Sequence, residues 1–249
     1  SLTGTIVLGL TSKAAAAGLT DLALASKSVA VTGAAYDLAK ADLSTTTLTL
    51  GNVRVADVAT VGVTNTVITN ALYQDKLDVA ASGANANLTV TSPARLAAGT
   101  TGQIGVTAAK AGVLADTVSV GLTSNANGVL GLTNVTLAGQ SVAVTGSAYD
   151  YAKPTVASTL ALGNVRTNTA ATLGVANTVI TDAAFQDSLA VAATTTLGNM
   201  LVTAPANIAA GQSDVVGVAI GNAGSLTGTI VLGLTSKAAA AGLTDLALA

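Results

Sequence analysis

Thr117-Val118-Ser119-Val120-Gly121-Leu122 alternates between small or polar residues and Val or Leu, and its reading decides the fold. Successive side chains of a strand point to opposite faces, so Val118, Val120 and Leu122 share one apolar face. The same period runs along the chain. Ile6, Leu8 and Leu10 alternate with Thr5, Val7 and Gly9, and Val29 with Val31, Val61 with Val63, Leu88 with Val90, and Val142 with Val144 each share a face. Runs of this kind, rich in Val and Thr and punctuated by Gly, Asn and Pro, predict half-buried antiparallel strands. Spacings of roughly 10–15 residues predict about seven or eight strands per unit, a β-sandwich. Ala14–Ala17 has helical character, but its counterpart Ala126-Asn127-Gly128-Val129 does not, so a variable loop is expected there.

The second signal is repetition. Residues 1–25, SLTGTIVLGLTSKAAAAGLTDLALA, recur unchanged as residues 225–249. A degenerate period of half that length, 112 residues, lies inside: Leu50–Arg54 (LGNVR) returns at Leu162–Arg166, and Asn65–Thr69 (NTVIT) at Asn177–Thr181. Gln74-Asp75 matches Gln186-Asp187, and Ser28–Gly33 (SVAVTG) matches Ser141–Gly146 with a one-residue shift. A unit of this size is one small domain, larger than a solenoid repeat. The expected architecture is beads on a string, and the perfect copy at the two ends suggests a piece of a longer periodic chain.

Composition narrows the chemistry. The chain has 249 residues, with 10 Lys and Arg against 12 Asp, no Glu, and a formal charge of −2. His, Cys and Trp are absent and charged residues make up 9 %, against about 25 % in an ordinary domain. Without His or Cys there is no Ser-His-Asp triad, no Cys nucleophile and no zinc or iron–sulfur site of the usual ligands. No Lys/Arg cluster supports nucleic-acid binding. Mean hydropathy is +0.64, yet the apolar runs are cut every few residues, far short of the roughly 18 that a membrane helix needs. No basic segment precedes an apolar stretch at the start, so no signal peptide is expected there. The absence of Cys is compatible with an oxidising exterior.

The string LGNVR (50–54), VGVTNT (61–66), YQDKLDV (73–79), LTVTSPARLAAG (88–99), GVTAAKAG (105–112), VSVGLTSNANG (118–128) and SVAVTGSAYD (141–150) resembles the repeats of bacterial choice-of-anchor D proteins. These belong with the Ig-like sandwiches of the ASPM/SPD-2/Hydin type. The resemblance implies tandem Ig-like antiparallel β-sandwich domains in large, exported bacterial surface proteins, and an extracellular or cell-surface location. It also sets a frame: residues 1–40 as the C-terminal part of one repeat, 41–153 as a complete repeat, and 154–249 as a repeat lacking its closing strand. It brings no catalytic residues.

Few residues are candidates for chemistry. Calcium between beads would need carboxylates such as Asp37, Asp42, Asp75, Asp78 and Asp150. But Asp42, Asp57 and Asp78 become Thr155, Thr169 and Ala190 in the next copy, leaving Asp37/Asp150 and Asp75/Asp187 as persistent. Turn carboxylates accepting backbone N–H bonds are the better expectation, with no cofactor and no metal site. Arg54 and Arg166 persist after Gly-Asn-Val, and a structural pairing with a persistent Asp of the same bead, worth about 1 kcal/mol or less if exposed, is expected over a ligand role. Tyr36 matches Tyr149 and Tyr73 matches Phe185, as packing anchors. Asn87 and Asn134 open glycosylation-type triplets, a frequent chance event in such a chain. A Ser/Lys hydrolase would need the Ser12-Lys13 pair, which becomes Ser124-Asn125; no enzyme is expected.

The expected function is therefore structural, in a bacterial extracellular filament, stalk or matrix fibre joined by bead-to-bead and β-edge contacts. The alternative is the spacer of a cell-surface adhesin or a surface-layer protein. The expected partner is the chain itself, through serial repeats or a strand donated between subunits, since an unclosed sandwich leaves an unpaired edge. No nucleic acid or membrane insertion is expected.

Overall fold

The computed structural model describes residues 2–248. Its regular structure is β throughout, apart from two three-residue 3-10 turns at Ala71–Tyr73 and Ala183–Phe185. The chain opens with a long hairpin of β1 (Leu2–Ser12) and β2 (Leu22–Gly33), paired from Leu2 opposite Gly33 to Ser12 opposite Leu22. Among the described residues neither strand pairs with any other strand, and every residue of both is exposed.

A first lobe follows, made of β3 (Ala41–Leu43), β4 (Thr47–Arg54), β5 (Val58–Asn65), β6 (Lys76–Gly83), β7 (Leu88–Thr91), β8 (Thr101–Ala108), β9 (Gly112–Asn125), β10 (Val135–Thr136) and β11 (Gln140–Tyr149). One sheet runs β10-β9-β11-β4, with β6 on the other side of β9; the second runs β3-β5-β8-β7. The two sheets share one apolar core, in which Val61, Val63, Ile104 and Val106 of one meet Leu77, Val118, Val120, Val142 and Val144 of the other. The alternate positions face outward, as period-2 patterning requires. Each fully buried Val, Leu or Ile contributes about 1.5–3 kcal/mol, so aliphatic side chains fill this interior without aromatic rings.

One pairing departs from the antiparallel expectation. β11 runs parallel to β4, with Ala143 opposite Thr47 and Tyr149 opposite Arg54. No hairpin joins these two strands, so connectivity imposes no antiparallel sense. Their register shifts between Thr145 and Gly146. A side chain at Gly146 would bring Cβ to 2.7 Å from the Gly51 carbonyl oxygen, so only glycine lets β4 approach.

A second lobe holds β12 (Pro154–Val156), β13 (Ala170–Asn177), β14 (Ser188–Thr195), β15 (Met200–Thr203), β16 (Ser213–Ile220), β17 (Ile230–Lys237) and β18 (Leu246–Leu248). Its sheets are β12-β13-β16-β15 and β14-β17-β18, around a smaller core of Leu173, Val175, Leu189, Val191, Ile208 and Val216. Among the described residues two strands of the first lobe, β4 and β11, have no equal here. Residues 159–166, the counterpart of β4, form no strand, and β18 covers only Leu234–Ser236 of β17. A groove of about 380 Å³ opens where the first lobe carries β11, lined by Leu160, Leu162, Leu226, Gly228, Ile230 and Leu232 among others.

Candidate functional site

The most built polar site lies where the two lobes meet. Each lobe first fixes an asparagine inside the end of its sandwich. The Asn65 side chain accepts from the Lys40 N–H and Gln74 Nε2 and donates to the carbonyls of Asp75 and Leu96, at 3.0–3.3 Å. Asn177 does the same with Lys153, Gln186, Asp187 and Ile208. All four hydrogen bonds of each amide are used, so the loops carrying Asp75 and Asp187 are held rigidly.

Those carboxylates sit alike. Asp187 Oδ2 accepts from Ser236 Oγ at 2.7 Å, and Ser236 Oγ accepts from the Ala152 N–H at 2.7 Å. Asp75 Oδ2 accepts from Ser124 Oγ at 2.8 Å, and Ser124 Oγ from the Ala39 N–H at 2.8 Å. The difference lies in the other oxygen. Asp187 Oδ1 accepts from the Ala239 N–H at 2.9 Å and stands 2.9 Å from Arg54 Nη1 of the first lobe. Asp75, only 5 % exposed, leaves Oδ1 without any hydrogen-bond partner among the described residues.

The parallel register of β4 on β11 brings Arg54 to the end of the first lobe, level with Tyr149, where the chain passes into the second. The Arg54 side chain crosses that boundary. Its Nη2 donates to the Thr244 carbonyl at 3.0 Å, its guanidinium carbon lies 4.4 Å from the centre of the Tyr151 ring, and both partners of the ion pair are buried. Asn52 Nδ2 adds a bond to the Ala241 carbonyl at 3.0 Å. A planar fork that pairs, donates and stacks at once is a use to which Arg is suited and Lys is not.

The expected pairing within one bead is thus corrected for Arg54, whose acid lies in the next lobe. The nearby acid of the same lobe, Asp57, uses its carboxylate to accept from the Arg54 backbone N–H at 2.8 Å, and the guanidinium goes to the next lobe. Arg166 is exposed and lies outside any strand. A cavity of about 250 Å³ beside Asp75, lined also by Leu72, Gln74, Ala98 and Asn127, occupies the place that Arg54 fills beside Asp187.

The remaining candidates are placed singly. Asp78 binds Arg95 through two contacts, at 2.6 and 3.2 Å, and accepts from Asn125 Nδ2 at 2.6 Å. The Arg95 bond holds its carboxyl below the ordinary range, opposed by burial and aided by the Asn125 bond. Lys13 pairs with Asp21, and Lys237 with Asp245, which lowers both carboxyls. Among the described residues no three acidic groups gather as a metal site would require. Asn134 accepts from the Ala126 N–H, closing the loop between β9 and β10. Tyr36 meets Tyr73, and Tyr149 meets Phe185, with ring centres 5.5 Å apart in both pairs. Tyr151, a single ring with Leu38 at the matching place, was not anticipated as part of any site; nothing in the repeat pattern marks it.

No helix among the described residues is long and apolar enough to cross a membrane. No protein-family model matches the chain, and no curated protein matches it significantly.

Proposed function

We propose that this chain is a structural repeat of a bacterial extracellular filament, stalk or matrix fibre, built from tandem Ig-like β-sandwich beads of about 112 residues. The observation that carries this reading is the buried Arg54–Asp187 contact between the lobes. It spans a joint, not a pocket, and surrounds itself with bonds that fix one lobe on the next. A joint of that kind serves a serial assembly, which needs its beads held in one orientation. The recurrence of both residue types one unit along, as Arg166 and Asp75, supports the same reading. So do the aliphatic cores and the scarcity of charge, which suit contacts between beads that tolerate salt. At about 3.3 Å per strand residue, each bead adds on the order of 30–40 Å of reach.

Electron microscopy of the native material tests this. Long filaments with an axial repeat of one or two beads are the expected result. Compact particles that turn over a small molecule would overturn it.

A further inference from the structure

We infer that β4 is a load-bearing tie: its parallel ladder with β11, together with the bonds from its far end to the second lobe, carries a pull along the chain across the first lobe. This rests on the filament reading, since a fibre is what would meet such a pull, and it names the part of the bead that resists.

Topology sets the direction of loading. The chain enters the first lobe through β3 and β4 and leaves it along β11, which runs on through Tyr149 into the second lobe. β4 and β11 are parallel neighbours, from Thr47 opposite Ala143 to Arg54 opposite Tyr149. A pull along the chain therefore draws β4 back from its Thr47 end and β11 forward from its Tyr149 end, at opposite corners of one ladder. Strands drawn apart in this way must slide, and the bonds between them are strained together. In an antiparallel hairpin the pulled ends lie side by side, and the bonds open one after another. The ladder is fastened at both corners: the Ala143 N–H donates to the Thr46 carbonyl at 2.9 Å, and the Val55 N–H to the Tyr149 carbonyl at 3.1 Å.

The far end of β4 is held by the second lobe as well. Asn52 Nδ2 donates to the Ala241 carbonyl, Arg54 Nη2 donates to the Thr244 carbonyl, and Arg54 Nη1 meets Asp187. The second lobe thus grips the first by two routes, covalently through β11 and by these contacts through β4. Load can pass along the backbone of β4 from Thr47 to Arg54 and into the second lobe without crossing the ladder. The routes lie side by side, so β11 slides on β4 only when both give. The ion pair is buried, which keeps it from the screening that weakens exposed charges.

Packing adds to the resistance. Leu48, Leu50 and Val53 of β4 pack on the core to which Val142, Val144 and Ala148 of β11 belong, so sliding drags apolar side chains out of contact. The weaker link lies ahead of β4. Three residue pairs join β3 to β5, from Ala41 opposite Asn65 to Leu43 opposite Val63, against seven between β4 and β11. A pull entering at Ala41 frees β3 first, and the load then falls on β4.

Single-molecule force spectroscopy on the full-length chain tests this. The chain has no Cys, so Thr47→Cys with Ala143→Cys makes one disulfide across the start of the ladder. Pulled from its two ends, the reduced chain should show an unfolding step that oxidation removes, withholding about 330 Å of extension; that step is the first lobe. A first lobe that extends with no such step overturns the proposal. Handles placed instead on Thr47→Cys and Ser141→Cys pull at neighbouring ends of β4 and β11 and peel the ladder from one side. The end-to-end force should exceed the peeling force several-fold, and equal forces overturn the ladder as a clamp. Arg54→Met should lower the end-to-end force and leave the peeling force as it was, because peeling starts at the opposite end of β4. Asn52→Ala, at an exposed position, should do the same to a smaller extent and serves if Arg54→Met does not fold. A fall in both forces alike, or in neither, overturns the tie to the second lobe. Equal forces beside native filaments sink the clamp alone, whereas a strong clamp beside compact native particles sinks the filament reading.

Discussion

Arg54 of the first lobe and Asp187 of the second stand 2.9 Å apart with both side chains buried. The two residues are 133 positions apart in sequence and form a close ion pair in space. A buried charge pair is costly to assemble and more costly to halve, because the abandoned partner keeps its desolvation penalty. This one is offset by the Thr244 carbonyl, the Ser236 hydroxyl, the Ala239 N–H and the Tyr151 ring.

Arg54→Met should therefore destabilise the protein by about 3–5 kcal/mol. Urea unfolding followed by far-UV circular dichroism measures it. Arg54→Lys should recover only part of the loss, since an ammonium cannot supply the fork and the stacking face together. A change below about 1 kcal/mol for Arg54→Met would mark the contact as no stronger than a surface pair.

Asn65 holds four hydrogen bonds inside the first lobe. Asn65→Leu leaves the Asp75 and Leu96 carbonyls and the Lys40 N–H without that partner. A loss of about 2–4 kcal/mol in the same urea measurement is expected, at about 1–3 kcal/mol per abandoned buried group with partial relief from solvent. The equivalent change at Asn177 should cost a similar amount, because its bonds are the same in kind.

Acid should weaken the fold through Asp78. Its carboxyl is held below the ordinary value of 3.8 chiefly by the Arg95 bond. A carboxyl depressed in the folded state stabilises above its unfolded pKa, and that contribution is lost as pH falls through the folded value. Stability should thus be level above about pH 5 and decline below about pH 4. Asp78→Asn should flatten part of that decline in thermal melts taken from pH 5 to 2. An unchanged slope would separate Asp78 from acid sensitivity.

Gly102 lies where a side chain would meet Pro93 Cβ at 2.6 Å and Leu96 Cδ2 at 2.9 Å. Gly102→Ala should destabilise by about 1–3 kcal/mol through overpacking. Gly174, with nothing within 4 Å of a Cβ, should accept alanine with little change. Comparing the two melting temperatures distinguishes crowding from a general effect of adding a methyl group.

Much of the fold was legible because burial here follows period-2 alternation. Val118 and Val120, Val61 and Val63, and Val142 and Val144 all lie in the core, as their spacing predicts. The parallel union of β4 with β11 was not legible, since it joins segments about ninety residues apart with no local turn signal. Nor does alternation alone make a strand: Thr159-Leu160-Ala161-Leu162 carries the pattern yet lacks the neighbour that would give its backbone a ladder. For the junction, the persistence of Gly-Asn-Val-Arg and Gln-Asp in both copies marked the right residues. What it withheld was the address, because a repeat makes the same acid available in either lobe.

The two cores share no residue, and the joint between them is held by the Arg54 guanidinium together with the Asn52–Ala241 bond and the Tyr149–Phe185 contact. In the proposed fibre, tension would undo such lobes piecemeal, one paying out its strands while its neighbours stay folded. Each event would release several hundred ångström of slack, at roughly 3.3–3.6 Å for every extended residue. A thread made this way would behave as a shock absorber, dissipating a sudden pull without snapping.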